Sequence, residues 1–173
     1  MVNSYEVIGD VVFINVVHKG ETLKVEVDLD LFEMIQEEIT GSLNIRHTNP
    51  KYGKCYYVYY NKRVDGVRYD LPLHRFLAKP ADDLVVDHID GNTLNNKMSN
   101  LRVVTQQQNC QNQRVRKNNS SGERGVCYDP KKERWIASVY VNRKAIRRVK
   151  RTFGEAVEAV RELRAIYLPY SIN

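Results

Sequence analysis

One stretch of the chain, residues 84–109, combines strand, loop and helix signals in an order that few folds accommodate. It begins with a short apolar run that ends at Asp87, and a polar loop then leads to a second apolar run, Leu101–Val104. Thr105 is a favourable helix N-cap, and Gln108 stands at the reciprocal capping-box position. The stretch therefore predicts strand, loop, strand and helix in that order.

Three side chains of this stretch have the chemistry of a hydrolytic site. The His88 imidazole has an ordinary pKa near 6.5, so it can be neutral and accept a proton at working pH. Asp87 offers a carboxylate oxygen and Asn109 an amide oxygen, which are donors suited to Mg²⁺ or Mn²⁺. Adjacent strand residues point to opposite sides, so Asp87 and His88 converge only if the strand end twists. Asp90 and Asn92 are interpreted as turn formers.

The spaced pattern resembles the HNH, or ββα-metal, nuclease family, and within it the phage and mobile-intron homing branch whose last motif residue is Asn. The resemblance covers roughly 30 of the 173 residues. The positions that carry it are residues 85–92, Asn95-Asn96, Asn100-Leu101-Arg102, Val104-Thr105 and Asn109.

That resemblance implies a metal-dependent endonuclease in which His88 is the general base. Asp87 and Asn109 would hold one Mg²⁺ or Mn²⁺ ion, with water and phosphate oxygens completing its coordination. Asn100, the middle motif residue, would tie the loop and orient the base. A zinc site is not expected, because the three cysteines are widely spaced and form no CxxC pair.

Charge is distributed unevenly along the chain. Residues 1–45 carry two Lys and Arg against nine Asp and Glu, whereas residues 46–113 carry ten against six and residues 114–173 carry fifteen against six. A polyanion such as DNA is therefore expected to meet the C-terminal third first. A basic surface that is merely solvated remains the alternative.

The N-terminal half shows strand periodicity before the motif. Residues 11–17 form an apolar run typical of a buried strand, and apolar residues alternate over 23–29. Asp30 and Glu33 resemble a capping pair that begins a short helix. Residues 55–60 and 67–71 predict a β-hairpin around an Asp-Gly turn. The tyrosines of this hairpin either stack on a nucleic acid or are present because aromatic residues favour strands. His74, which follows the hairpin, is either a packed residue or close to the active site.

Residues 114–122 are polar and predict a linker, and its cations Arg114, Arg116 and Lys117 are expected to lie along DNA. After it, periodicity predicts three strands and a helix. This segment resembles the Apetala/ethylene-response-factor type DNA-binding domain. The matching positions are Ser121-Gly122, Arg124-Gly125-Val126, Trp135, Ala137, Val141-Asn142, Phe153 and the Ala-containing helix.

In that family the sheet face away from the helix enters the major groove. By matching position, Arg124 is a candidate for base or phosphate contact, with Ser138 and Tyr140 on the second strand. The third strand departs from the family pattern because it lacks the usual Gly two residues before the Phe. The cations of this strand are candidate DNA contacts, but the sequence does not determine which of them face the DNA: Arg147, Arg148, Lys150 and Arg151.

These patterns predict an α+β protein with an acidic N-terminal β/α segment (1–45), an HNH nuclease domain (46–113, core 84–113), a basic linker (114–122) and a DNA-binding domain (123–173). The predicted activity is homing-endonuclease-like nicking or double-strand cleavage of duplex DNA at preferred sites, by a monomer or a DNA-induced dimer. A non-catalytic DNA-binding regulator and an RNA-directed or nonspecific nuclease are the alternatives. Neither a membrane helix nor a signal peptide is evident, so a cytoplasmic location is expected.

Overall fold

The computed structural model describes residues 2–48, 55–112, 115 and 118–171. The chain divides into two compact units, Met1–Gln106 and Gln107–Asn173. Helices accompany several small antiparallel sheets in these units, so the fold is of the mixed α+β kind. Among the described residues, no helix is long and apolar enough to cross a membrane.

The first unit opens with a three-stranded antiparallel sheet and a helix: β1 (Tyr5–Ile8), β2 (Val11–His18), β3 (Glu21–Asp28) and α1 (Leu29–Glu38). The strand predictions for this region are confirmed. β2 is buried on one face alone, however: Val12, Ile14 and Val16 are buried and the residues between them are more exposed. An apolar run therefore marks a strand without requiring that both of its faces are covered.

Helix α1 begins earlier than the sequence predicts. Asp28 is its N-cap residue and makes no side-chain cap bond, so the predicted capping pair of Asp30 and Glu33 is wrong. Asp30 lies in the first turn instead, where a negative charge interacts favourably with the positive end of the helix dipole. Phe32 and Ile35 are the buried residues that anchor the helix on the sheet.

A second antiparallel sheet and a short helix follow: β4 (Asn44–Thr48), β5 (Cys55–Val64), β6 (Val67–Pro72) and α2 (Leu73–Ala78). The predicted hairpin is confirmed, with strands longer than expected. Asp65 and Gly66 form its turn with φ values of +51° and +77°, as a tight turn with two left-handed residues requires. His74 is the second residue of α2 and is buried.

The strand, loop, strand and helix predicted for residues 84–109 are present as β7 (Val85–His88), β8 (Leu101–Val104) and α3 (Gln106–Asn109). β7 and β8 pair antiparallel, with Asp87 opposite Arg102 and His88 opposite Leu101. We name the connecting residues 89–100 the motif loop; it ends in a 3-10 turn, Met98–Asn100.

One hydrophobic core runs through the first unit. Val86 and Leu101 of the β7–β8 pair share it with apolar residues of β2, β3 and α1, among them Ile14, Val27 and Ile35. The acidic residues 1–45, which sequence patterns set apart as a segment of their own, therefore contribute buried side chains to the same core as the motif strands.

The second unit consists of β9 (Val126–Asp129), β10 (Arg134–Val141), β11 (Lys144–Lys150) and α4 (Phe153–Tyr167), with β10 in the middle of the sheet. These are the three strands and helix that periodicity predicts, although Phe153 opens the helix rather than ending the third strand. Thr152 and Glu155 form a capping box there, and each side chain bonds the other's main-chain N–H.

Helical spacing in the sequence puts Ala156, Val160, Leu163 and Tyr167 on one stripe, with Ala159 and Ile166 beside it. The structure agrees with this prediction in the first turns of α4 and differs from it in the last. Ala156, Val160 and Leu163 are buried against the sheet, whereas Ile166 is 62% exposed. Arg164 takes the inward position and is 4% exposed. Its Nη2 donates to Glu123 Oε1 at 2.8 Å and also to the Arg124 carbonyl, so burial of this charge is offset by paired hydrogen bonds.

Two glycines with nearly the same backbone angle provide a matched stability test. Gly122 and Gly125 have φ of +77° and +78°, so alanine at either position adds left-handed strain of about 1–2 kcal/mol. Only at Gly125 would the new Cβ lie 2.5 Å from the Ser138 carbonyl oxygen and 3.0 Å from Val160 Cγ2. We expect Gly125→Ala to lower the free energy of unfolding by roughly 1–3 kcal/mol more than Gly122→Ala, measured by urea denaturation. Equal decreases in the free energy of unfolding for the two variants would contradict the close packing of Gly125 against Ser138 and Val160.

Candidate active site

His88 ends strand β7 inside a pocket of aromatic rings. It is 3% exposed, and its ring centroid lies 5.3 Å from that of His74 and 6.2 Å from that of Tyr57. Both contacts are edge-on arrangements, with interplanar angles of 68° and 67°. Helix α2 and strand β5 thus supply the walls around the imidazole.

One polar contact of His88 is with the motif loop. Its Nε2 lies 3.4 Å from Asn96 Oδ1. Burial lowers the pKa of His88 below its ordinary value, although the Asn96 contact and the charges of Asp90 and Asp87 act in the opposite direction. The ring is therefore neutral near neutral pH, which is the form that can accept a proton.

Asp87 has a different environment, although it is the preceding residue. Its carboxylate is 8% exposed and accepts two hydrogen bonds on Oδ2, from Arg102 Nε at 2.8 Å and Arg102 Nη2 at 2.6 Å. The two residues face each other across the β7–β8 pair. A two-point pair of this kind holds the carboxylate in one orientation.

Asn100 and Asp90 form the centre of the motif loop. The Asn100 amide nitrogen donates to Asp90 Oδ1 at 2.9 Å and to the Asn95 carbonyl at 2.8 Å, and Asn100 Oδ1 accepts from the Asp90 N–H at 2.9 Å. Burial raises the pKa of Asp90, but hydrogen bonds from Asn92, Asn95 and Asn100 outweigh it and bring that pKa below its usual value. Asn100 therefore bonds the loop to itself, whereas another loop side chain, Asn96, contacts His88.

Asn109 is the last residue of α3, and the boundary between the two units falls within that helix. The pairing of Asp87 with Asn109 on one metal ion therefore stays a prediction. Within the described ranges, no group of three or more His, Cys, Asp or Glu side chains is placed to hold a metal. The predicted donors are a carboxylate and an amide oxygen, which is the oxygen chemistry that Mg²⁺ and Mn²⁺ take.

Sequence reasoning did not assign three residues of this site. Asn96 was seen only as part of the Asn-Asn pair in the resemblance, and no spacing rule connects it with His88. Arg102 becomes evident once the strand register sets it opposite Asp87. His74 was left open between a packed residue and a neighbour of the site, and the structure places it as both.

The second unit separates the predicted DNA-contact residues by sheet face. Ala137 and Val139 of β10 are buried under α4, so their neighbours Ser138 and Tyr140 lie on the opposite face. Arg147 pairs with Ser138 in register and shares that outer face, and Tyr140 is 66% exposed there. We name this side of the sheet the outer face.

Two of the other third-strand cations lie on the helix side. Arg148 is opposite Ala137, and its guanidinium pairs with Glu162 of α4. Lys150 is opposite Trp135 and belongs to the same side. Arg151 follows the end of β11 and is exposed; its main-chain N–H donates to Glu155 Oε2 at 3.0 Å. The register that the sequence left open is therefore defined by the pairing with β10.

Arg124 is engaged within its own unit. Its guanidinium donates from Nη1 to the Gln111 carbonyl at 2.8 Å and from Nη2 to the Ser171 hydroxyl. Burial, followed by the charge of Arg164, lowers its pKa from the ordinary value. Its role as a DNA contact stays a prediction, and it would require these bonds to be exchanged. The linker cations Arg114, Arg116 and Lys117 lie outside the described residues.

The environment of His74 predicts a pH-dependent stability. Burial and then the charges of His88 and Arg75 lower its pKa to about 4. Below pH 6.5 the unfolded chain protonates at this position before the folded chain does, so stability falls as the pH is lowered towards 4. The free energy of unfolding of the wild type should therefore decrease between pH 7 and about pH 4.5. We expect this decrease, measured by urea denaturation, to be roughly 2–3 kcal/mol smaller in His74→Gln. His47→Gln, which replaces an exposed histidine of β4, is the control. An unchanged pH dependence of stability in His74→Gln would contradict the assignment.

Comparison with known proteins agrees with the motif. The family model described as HNH endonuclease matches residues 79–111. Protein 3.8 of Escherichia phage T7 is 39% identical over 54 residues, which cover 31% of this chain and 45% of that protein. An uncharacterized HNH endonuclease, L560, of Acanthamoeba polyphaga mimivirus is 46% identical over segments that cover 39% of each chain.

The chain thus spans less than half the length of each of these curated relatives. No solved structure matches it significantly. The strands and loop that hold His88, Asp87 and Asn100 all lie within the matched residues. Residues 79–111 are an HNH endonuclease domain.

Proposed function

We propose that the protein is a metal-dependent, homing-endonuclease-like DNA endonuclease that acts in the cytoplasm on preferred duplex sites. The observation that carries this proposal is the pair of adjacent residues at the end of β7. His88 is buried and its pKa is lowered, whereas the Asp87 carboxylate is held in place by two hydrogen bonds from Arg102. A neutral base beside a fixed carboxylate, inside an HNH endonuclease domain, suits phosphodiester hydrolysis.

In the proposed reaction a water oxygen attacks phosphorus while His88 takes its proton, and the bond from phosphorus to the leaving 3′ oxygen breaks. Arg102 holds the carboxylate of Asp87 and brings a cation close to the site of the scissile phosphate. Asn100 and Asp90 keep the motif loop in one conformation, so that His88 needs little reorganisation before the proton transfer.

The metal would be one Mg²⁺ or Mn²⁺ ion on Asp87 and Asn109. When bound, it would supply charge stabilisation for the phosphate and the leaving oxygen. One such centre per chain suits nicking by a monomer, and double-strand cleavage would follow from DNA-induced dimerisation.

Duplex binding is assigned to the second unit, as an Apetala/ethylene-response-factor-like domain (123–173). Residues 114–173 carry fifteen Lys and Arg against six Asp and Glu, which favours a polyanion. The outer face carries the exposed ring of Tyr140, the hydroxyl of Ser138 and, opposite Ser138 on β11, the guanidinium of Arg147. Such a strand surface can contact phosphates and base edges in the major groove.

Conversion of supercoiled plasmid to nicked or linear DNA tests the activity. With Mg²⁺ or Mn²⁺ we expect cleavage that a chelator abolishes, because the leaving oxygen then lacks its counter-charge. His88→Ala should reduce the rate by roughly 10²–10⁴-fold, since it removes the general base. His47→Ala, an exposed histidine of β4, is the matched control.

Two results would replace the proposal by the alternatives. Intact supercoils with retained DNA binding would indicate a DNA-binding regulator. Equal or faster cleavage of RNA would indicate an RNA-directed or nonspecific nuclease.

Adjacent arginines of β11 test the binding face. Arg147 lies on the outer face, whereas Arg148 pairs with Glu162 on the helix side. We expect Arg147→Ala to reduce the slope of log affinity against log salt by about 0.9, the contribution of one neutralised phosphate, and Arg148→Ala to leave it nearly unchanged. Fluorescence anisotropy with a labelled duplex measures both. A larger effect of Arg148→Ala would show that the helix side faces DNA.

A further inference from the structure

Asn96 is the most deeply buried polar side chain of the motif loop, at 1% exposure. The direction of its amide is defined by its neighbours. Asn96 Nδ2 donates to the Thr93 carbonyl at 3.4 Å, so the opposite atom, Oδ1, faces His88 Nε2 at 3.4 Å. An amide oxygen can only accept a hydrogen bond, and the imidazole nitrogen beside it therefore has to donate.

The main chain at Asn96 is held by the first sheet. Its N–H donates to the Glu26 carbonyl at 2.8 Å, and the Glu26 N–H donates to the Leu94 carbonyl at 2.9 Å. Glu26 and Asn95 thereby form a parallel bridge between β3 and the motif loop. The Met98 N–H also donates to Asp28 Oδ2 at 2.7 Å. Strand β3 thus fixes the position of the Asn96 side chain from outside the motif.

We propose that Asn96, held by β3, is the positioning residue that fixes the tautomer of His88, with the proton on Nε2 and the lone pair on Nδ1. The neutral ring has one donor and one acceptor nitrogen, so a bond from Nε2–H to Asn96 Oδ1 determines which nitrogen is basic. The catalytic consequence, that Nδ1 accepts the proton of the attacking water, rests on the proposed function.

The tautomer is measured without DNA or metal. In the full-length protein labelled with ¹⁵N-histidine, long-range ¹H–¹⁵N correlation spectra distinguish the two neutral tautomers, and His88→Gln identifies the His88 signals. We expect the Nε2–H form with a protected Nε2 proton in the wild type. In Asn96→Ala the exchange of that proton with water should accelerate by roughly threefold to tenfold, because one hydrogen bond is lost. Asn96→Asp, which keeps an acceptor oxygen, should restore protection.

Asn95→Ala is the matched control. Asn95 belongs to the same loop and donates from Nδ2 to Asp90 Oδ2, and this substitution should leave the exchange rate of the His88 Nε2 proton unchanged. A wild-type spectrum with the proton on Nδ1 overturns the proposal even if no variant folds. Unchanged Nε2–H exchange in a folded Asn96→Ala overturns it as well.

A nicking assay then separates this inference from the proposed function. If the wild type cleaves DNA, Asn96→Ala should lower kcat by roughly 10- to 100-fold with little change in KM, as expected for a residue that orients a catalytic group. A wild type that does not cleave refutes the nuclease assignment, and the spectra still decide the tautomer. Normal kcat in Asn96→Ala would contradict the catalytic consequence.

Discussion

Main-chain hydrogen bonds between β3 and the motif loop hold the site together. A polar loop has little apolar surface to bury, so its conformational entropy has to be offset by hydrogen bonds. Glu26 bonds both the Leu94 carbonyl and the Asn96 N–H, and the Thr93 hydroxyl donates to the Tyr56 carbonyl at 2.5 Å. The loop is thus attached to both three-stranded sheets of the first unit. Asn100 and Asp90 complete the arrangement from inside the loop.

Two consecutive residues acquire opposite electrostatic character from this frame. Aromatic walls from β5 and α2 remove water from His88, and desolvation favours the uncharged imidazole. Asp87 faces Arg102 across the strand pair and accepts two hydrogen bonds from its guanidinium. Adjacent residues of a strand point to opposite sides, and this alternation gives Asp87 and His88 different surroundings.

Charge is used differently in the two units. Among the acidic N-terminal residues, Asp28 holds the motif loop through its carboxylate, whereas Glu26 bonds the loop through its main chain. In the second unit, cross-strand pairing decides what each cation does. Arg147 reaches the outer face, whereas the neighbouring Arg148 meets Glu162. Net charge therefore indicates a polyanion partner, but strand register decides which residues are available to it.

Local patterns sufficed for most elements, because each depends on contacts close in sequence. The hairpin around Asp65 and Gly66, the strands on either side of the motif loop, and the strands and helix of the second unit all follow from periodicity and turn chemistry. Boundaries were less accurate. α1 starts at Leu29, with Asp28 as its N-cap residue, so that Asp30 falls in the first turn.

The sequence by itself determined the motif, with His88, Asp87, Asn100 and Asn109 at their spacings, and the uneven distribution of charge. Only the tertiary structure decided which side chains surround them. The contact of Asn96 with His88 depends on β3, which lies about 70 residues earlier in the chain than the loop it holds. Pairings between distant segments leave no periodic signal in either segment, because hydrogen bonds to main-chain atoms do not depend on residue type.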